Sequence, residues 1–301
     1  MFLQDLTVYV ISTGEDTRDD CLKALHAQDC TFTIEHVRGV HPMSAAFQAM
    51  PDRCTTKYFT QVDADIILNP DAISTLYEGV QRSAITTYMV SGALFEEGFG
   101  IGGAVKCWKR SVFRLAKFRD VRTVDRDLHR RLRRLGLRRR HLTQVMGIHR
   151  PRHSDFSLYL KAKSDVEKWR FLKRPGDMYA LGVLEEALAA WPADRHRLAG
   201  LLLGALSGPA RVIRSKDVPL EADRFRKVLG LLGRDEDLSD TVEMNADLAD
   251  RIRSAFVAAH DDFRGASRAK RETVVELVFD VFSRGTAAPA PAAEFLEVID
   301  R

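Results

Sequence analysis

Gln61-Val62-Asp63-Ala64-Asp65-Ile66-Ile67-Leu68-Asn69-Pro70-Asp71 is the stretch that decides how this 301-residue chain is read. A β-rich run through Tyr58, Phe59 and Val62 stops at two carboxylates. Asn69 and Pro70 then suit the N-cap and first position of a helix, which would carry Ile73, Leu76, Tyr77 and Val80 on one face. Asp63 and Asp65 therefore fall at the carboxyl end of a strand, where open α/β sheets bind their ligands. In an extended chain residues two apart face the same side, so both carboxylates can reach one divalent cation.

The pattern on either side is strand, turn, helix. Leu6–Ser12 is β-branched and ends at Thr13-Gly14, ahead of the helix-like Cys21–His26. Phe32–Val37 alternates as a second strand, and Pro42 opens a short helical run over 45–50. Beyond the aspartates, Ile85–Phe95 reads as strand and Gly98–Gly103 as a turn or mobile loop. Ala104–Trp108 resumes a strand, a helix passes through Val112, Phe113 and Leu115, another spans Asp125–Leu135 up to Gly136, and Leu142–Met146 closes this half. The alternation predicts a largely parallel, layered α/β sheet. From about Pro175 the pattern turns helical, with runs over 178–191, 198–206, 224–232 and 273–282 and turns or linkers at Pro175-Gly176, Gly208-Pro209 and 287–291. Two domains are expected, 1–155 and 156–301, the second all-α.

Composition sets outer limits. Hydrophobic residues are 45% and charged residues 29% of the chain, as in a globular protein, and no window reaches the ~18 uninterrupted apolar residues of a membrane span. Met1-Phe2-Leu3-Gln4-Asp5 has neither a basic n-region nor a long apolar core, so the expected address is cytoplasmic. Cys21, Cys30, Cys54 and Cys107 form no C-x-x-C pair and read as buried reduced thiols. The net charge of +4 is modest, but between Arg126 and His141 eight arginines face one aspartate. Arg130, Arg131, Arg133, Arg134 and Arg138–Arg140 fit either the solvated face and tail of a helix packing Leu128, Leu132 and Leu135 inward, or a contact with donor phosphates, an anionic acceptor or the inner membrane surface. Without a nucleic-acid motif or interleaved aromatics, no nucleic-acid partner is expected.

An Asp-x-Asp after an apolar strand and before a capped helix resembles the signature of the GT-A glycosyltransferases, particularly the large inverting family 2, over residues 6 to 150. Val10-Ile11-Ser12-Thr13-Gly14 looks like that family's first strand and nucleotide loop. Val124-Asp125-Arg126-Asp127 followed by a basic helix and Gly136 looks like its Glu-Asp segment, with Val124 where the glutamate is usual. Gly147-Ile148-His149-Arg150-Pro151 is similar to a segment that supplies a metal ligand. The resemblance implies a Rossmann-like mixed sheet with flanking helices and a metal-dependent, inverting transfer of a sugar from a UDP- or GDP-sugar. The acceptor would be a glycan, a lipid-linked sugar or a protein.

Under that resemblance Asp63, Asp65 and His149 are the candidate metal ligands, with manganese preferred over magnesium because an imidazole is among them. Asp125 is the candidate catalytic base, and Thr13, Glu35, Asp63 and Asp65 are candidate donor-site residues. Each has a plainer reading: Asp63 and Asp65 as caps of the Asn69 helix, Asp125 as the cap of its own helix, Asp127 as a first-turn charge, His149 as a loop residue, Glu35 as an exposed strand position. Two other functions stay open. A nucleotidyltransferase would also use metal carboxylates, although Thr13-Gly14-Glu15-Asp16-Thr17 lacks that class's glycine-rich basic loop; a non-catalytic binding module would keep a vestigial donor site.

Overall fold

The structure, a computed structural model, describes the chain except residues 97–99, 151–153, 173–177, 208–212, 235–237, 239–241, 261–265, 284–290 and 301. It divides into two compact units, Met1–Asp120 with Val124–Arg152, and Val121–Thr123 with His153–Arg301.

In the first unit the strands are β1 (Phe2–Ser12), β2 (Thr31–Arg38), β3 (Tyr58–Asp63), β4 (Ile66–Leu68), β5 (Thr87–Glu96), β6 (Gly100–Lys109) and β7 (Arg138–His149). The helices are α1 (Arg18–His26), α2 (Met43–Arg53), α3 (Ala72–Gln81) and α4 (Val124–Arg134), with a 3₁₀ turn over Arg110–Arg114. The strands form one sheet in the order β2-β1-β3-β6-β5-β7-β4. This is the Rossmann-like mixed sheet with flanking helices that the resemblance implies. The largely parallel sheet expected from the alternation is corrected: β1-β2, β1-β3 and β5-β7 are parallel, while β3-β6, β5-β6 and β4-β7 are antiparallel. For β5-β6 the cause is local, because a strand that follows its partner through a short connection has to run back along it.

Alternation along the strands builds a core on each face of the sheet. Val8, Val10, Val62, Val90 and Cys107 point to one side and pack on Cys21 and Leu25 of α1 and Ile73, Leu76 and Val80 of α3. Tyr9, Phe59, Met89 and Trp108 point to the other and meet Phe47 and Met50 of α2 and Leu128 and Leu132 of α4. Each such side chain taken fully out of water stabilises the unit by about 1.5–3 kcal/mol. All four cysteines are free and buried.

Several local expectations change. The N-cap of α3 is Asp71; Asn69 instead uses its side-chain amide to donate to the Val145 carbonyl at 2.9 Å, tying this loop to β7. Gly100–Gly103 belong to β6, paired with Leu94–Glu96 of β5, and Gly103 takes φ +62° where the register slips, the position of a β-bulge. Gly98 lies outside the described residues. Val112 and Phe113 are buried in a 3₁₀ turn and Leu115 is exposed. The closing strand is longer than expected and begins at Arg138, so Arg138–Arg140 are strand residues and not a helix tail. Gly136, at φ +78°, ends α4 in the left-handed region, and Leu135 beside it is 59% exposed, not packed inward.

The second unit contains α5 (Asp155–Leu172), α6 (Met178–Ala189), α7 (Arg195–Leu206), α8 (Val218–Leu231), α9 (Ala246–His260), α10 (Arg268–Phe282) and α11 (Ala292–Asp300), with no strand among the described residues. Leu198–Leu206 is buried along its whole length, as expected of a helix that is apolar all round. A Cβ on Gly200 would stand 2.3 Å from the Tyr159 carbonyl oxygen, so α5 and α7 touch backbone to backbone. Beside them a charged cluster is buried: Glu167 takes Arg122, Lys163 at 3.0 Å and the Ser207 hydroxyl at 2.6 Å, and Lys163 also reaches Glu221 at 2.9 Å. Burial pushes the Glu167 carboxyl up, but Lys163 and Arg122 outweigh it and hold the group below its ordinary range. Among the described residues no helix is long and apolar enough to cross a membrane. The linker candidates Pro175-Gly176 and Gly208-Pro209 and residues 287–290 lie outside the described residues.

Candidate active site at the carboxyl end of the sheet

The acidic pair sits in a turn that is held from three sides. β3 ends at Asp63, Ala64 and Asp65 make the turn, and β4 runs back against β7 with Ile66 opposite His149 and Leu68 opposite Gly147. The Ala64 N–H donates to the Ile11 carbonyl at 2.9 Å, and the buried Thr17 hydroxyl donates to the Ala64 carbonyl at 3.1 Å. The Arg150 N–H donates to the Asp65 carbonyl at 2.9 Å. Strand β1, helix α1 and strand β7 thus each fix one point of the turn, so the carboxylates are positioned before any ligand arrives.

His149 joins this turn through its ring. Its Nε2 lies 3.1 Å from Asp65 Oδ2 and its Nδ1 3.6 Å from Glu96 Oε2. The other Asp65 oxygen, Oδ1, is buried without a hydrogen-bond partner. Asp63 Oδ1 accepts from the Gln61 amide at 3.3 Å. Burial pushes the Asp63 carboxyl up to about 6, the Asp65 charge adds to the rise, and Lys106 pulls against it. Cys21, whose thiol faces the Asp63 carbonyl at 3.8 Å, is pushed up to about 12 by burial and then by Asp65 and Asp63. It is a neutral side wall of the site.

Asp125 stands in the first turn of α4 and does not cap it; its Oδ2 is ion-paired with Lys106 Nζ. Lys106 comes from β6, opposite Gln61 of β3 and Ser91 of β5, so cross-strand register sets its place beside the acidic pair. Val124, at the position where the resembled family has glutamate, is 1% exposed in the core under α4 and serves packing. Asp127 is buried and holds Arg131 at 2.8 Å, with Arg130 at 3.7 Å, as a first-turn charge pairing one turn on.

In the first loop Thr13 is bound to its own neighbour. The Glu15 carboxylate accepts from the Ser12 hydroxyl at 2.7 Å, the Thr13 N–H at 2.8 Å and the Thr13 hydroxyl at 2.7 Å. Burial pushes Glu15 up, yet these hydrogen bonds prevail and its carboxyl lies below the ordinary range. Glu35 is opposite Tyr9, which is in turn opposite Gln61, so it is two strands, or about 10 Å, from the strand that carries Asp63. The structure therefore gathers Asp63, Asp65, His149 and Asp125 at the end of the sheet, together with Glu96, Lys106 and Gln61, which sequence reasoning did not single out. Their signal is register, and register exists only once the strands are paired.

Among the described residues no group of three or more His, Cys, Asp or Glu side chains is arranged to hold a metal ion. His149 spends one nitrogen on each of two carboxylates, so Asp65, His149 and Glu96 form a chain and do not converge. In donor chemistry the residues do fit a divalent cation. Asp65 Oδ1 is a buried anionic oxygen with no partner, next to a second carboxylate, and both turn residues are fixed by backbone.

No protein-family model and no curated protein matches the chain. Solved structures do resemble it at a distance. One is the mannosyltransferase PcManGT from Pyrobaculum calidifontis in complex with GDP-Man and Mn2+, at 13% identity and TM-score 0.44, covering 92% of this chain and 85% of that one. Another is S. aureus TarS 1-349, at 10% identity and TM-score 0.40, covering 98% and 90%. A third is 4-diphosphocytidyl-2C-methyl-D-erythritol synthase from Anaerococcus prevotii, at 8% identity and TM-score 0.33, covering 46% and 88%.

Proposed function

We propose that the chain is a glycosyltransferase that moves a sugar from a nucleotide-activated donor to an acceptor hydroxyl, with inversion. The observation that carries this reading is the meeting of two functional halves at one sheet end: a fixed acidic turn at Asp63 and Asp65, and a carboxylate–ammonium pair at Asp125 and Lys106. Asp63, Asp65 and His149 would hold a divalent cation, manganese in preference to magnesium. When bound, that cation supplies the charge that a departing nucleoside diphosphate requires.

The remaining chemistry belongs to the chain. Asp125 is the base: its carboxylate takes the proton of the acceptor hydroxyl as that oxygen attacks the anomeric carbon. Lys106 aims the carboxylate through their ion pair, and its ammonium offsets the negative charge that collects beside the acidic pair. The loop at Ser12, Thr13 and Gly14 would receive the nucleotide, with Glu15 bracing it from within.

Thermal unfolding with and without manganese and a panel of UDP, GDP, CDP and ADP tests the reading. A nucleotide at ~100 times its dissociation constant stabilises the folded protein by about 2.7 kcal/mol. The expected result is a manganese-dependent shift with one of the diphosphates that disappears in Asp65→Ala. No shift with any of the four sinks the proposal.

A further inference from the structure

The opposite end of the same sheet holds a second candidate site, built from none of the residues given a role above. A cleft of about 490 Å³ opens where β3 begins and β6 ends, within the size range of small-molecule pockets. Tyr58 lines it and Asp63 is five residues further along β3, so the cleft lies about 17 Å from the acidic turn.

Its charge is one-sided. Lys57, Lys109, Arg110 and Arg114 line it, against Asp52 as the carboxylate, and Lys57 also reaches Asp5 outside the cleft at 3.7 Å. Asp52 is engaged by Gln48 at 2.8 Å. Two of the cations are held in place by backbone: Lys109 Nζ donates to the Ala84 carbonyl at 2.8 Å, and Arg110 donates to the Thr55 carbonyl at 3.4 Å. Neither contact neutralises a charge. Burial also pushes the Lys109 ammonium down, a cost that a bound anion would relieve. Thr55 and Ser111 add hydroxyls to the same wall.

Topology enlarges this basic end. β6 runs antiparallel to both β3 and β5, and β7 is parallel to β5, so the start of β7 shares a sheet end with the start of β3 and the finish of β6. Exposed Arg138, Arg139 and Arg140 therefore stand at the same end as the cleft.

We infer that this cleft binds a phosphoryl group, with Arg110 and Arg114 as the forked donors and Lys57 and Lys109 as point charges. Guanidinium forks match the oxygens of a phosphate dianion two at a time, and ammonium groups close the remaining sides. The same headgroup chemistry is offered by a soluble phosphomonoester and by an anionic phospholipid, and the experiment separates them.

Inorganic phosphate is titrated into the full chain and followed by backbone amide shifts, with flotation on phosphatidylcholine vesicles made with and without phosphatidic acid as the second arm. The expected result is saturable movement of the Thr55, Lys57 and Arg110 amides, weakened about tenfold or more in Arg110→Gln/Arg114→Gln and unchanged in Arg226→Gln/Lys227→Gln, which removes the same charge from the exposed face of α8. Phosphate binding without flotation assigns a soluble ligand; flotation on phosphatidic acid vesicles alone, lost in the first double variant, assigns a lipid headgroup. The inference is overturned if neither probe binds, if both double variants weaken binding equally, or if phosphate moves only amides around Thr13 and Gly14. All three proteins must melt at the same temperature, and the substituted side chains are exposed, so folding is preserved.

Discussion

Gly147→Ala should damage the acidic turn without touching a charged side chain. A Cβ at this position would lie 2.3 Å from the Ile67 carbonyl oxygen, 2.8 Å from Leu68 Cα and 3.1 Å from the Ile67 carbonyl carbon. These are backbone atoms of β4, so no rotamer change relieves the contact, and β4 must back away from β7 by about 1 Å. Only three residue pairs join the two strands, Ile66 with His149, Ile67 with Ile148 and Leu68 with Gly147. Overpacking costs about 1–3 kcal/mol, and a lost backbone hydrogen bond about 1 more. The expected destabilisation of the first unit is about 2–4 kcal/mol. Asp65 immediately precedes β4, and a displacement of ~1 Å in a positioned group is worth about 100-fold in activity. Urea unfolding gives the first number, turnover once a donor is found gives the second, and a manganese–nucleotide titration on the same preparation reads binding. Gly79→Ala is the control, because its new Cβ would meet only side chains, Val90 Cγ1 at 3.2 Å and Leu142 Cδ1 at 3.6 Å, and no backbone of the acidic turn, so it should leave nucleotide binding unchanged. If Gly147→Ala unfolds with the wild-type midpoint and binds nucleotide normally, the claim that the β4–β7 contact positions the pair is wrong.

Asp125→Asn should leave donor affinity near wild type and lower turnover by about 100-fold or more, the range of a lost general base, measured as kcat and KM once a donor is found. His129 gives a pH signature. It stacks on Trp108 at 5.5 Å, its Nδ1 lies 2.8 Å from the Tyr88 hydroxyl, and burial pushes it from 6.5 down to about 4. Between about pH 6.5 and pH 4 the unfolded chain binds this proton and the folded chain does not, so stability should fall as pH falls through that window, by about 3 kcal/mol in total. His129→Gln should flatten that part of the stability–pH curve, and an unchanged slope would show that His129 is not its source. In the second unit Glu167→Gln leaves Arg122 and Lys163 facing each other in the interior without their shared carboxylate, which should cost about 3–5 kcal/mol in denaturant unfolding, against a near-neutral Arg251→Gln at the exposed Arg251–Asp280 pair.

What could be read in advance was whatever a single segment encodes by itself. Val8 and Val10 alternating with Thr7 and Tyr9, or Ile73, Leu76 and Val80 along one helical face, carry their periodicity in the local chain, and those elements stand where the pattern placed them. β4 has no such signature. Three apolar residues after an acidic turn become a strand only because Gly147–His149, some eighty positions on, offers them an edge. Of the two readings open for Arg138–Arg140 the helix tail fails for a related reason: a run of arginines after a basic helix looks like more helix, whereas charge on an exposed strand also keeps other chains from pairing with it. The same distinction divides the candidate site. Asp63, Asp65, Asp125 and His149 announce themselves through residue type and neighbours in sequence. Lys106 and Glu96 acquire meaning only from who lies across from them: Lys106 opposite Gln61, and Glu96 opposite His149 in the β5–β7 pairing. Asp125 and His149 thus each receive a partner from a strand that local sequence could not join to them. Substituting those partners is the sharper probe of the site, because Lys106→Gln or Glu96→Gln changes the surroundings of Asp125 and His149 while leaving both candidates in place.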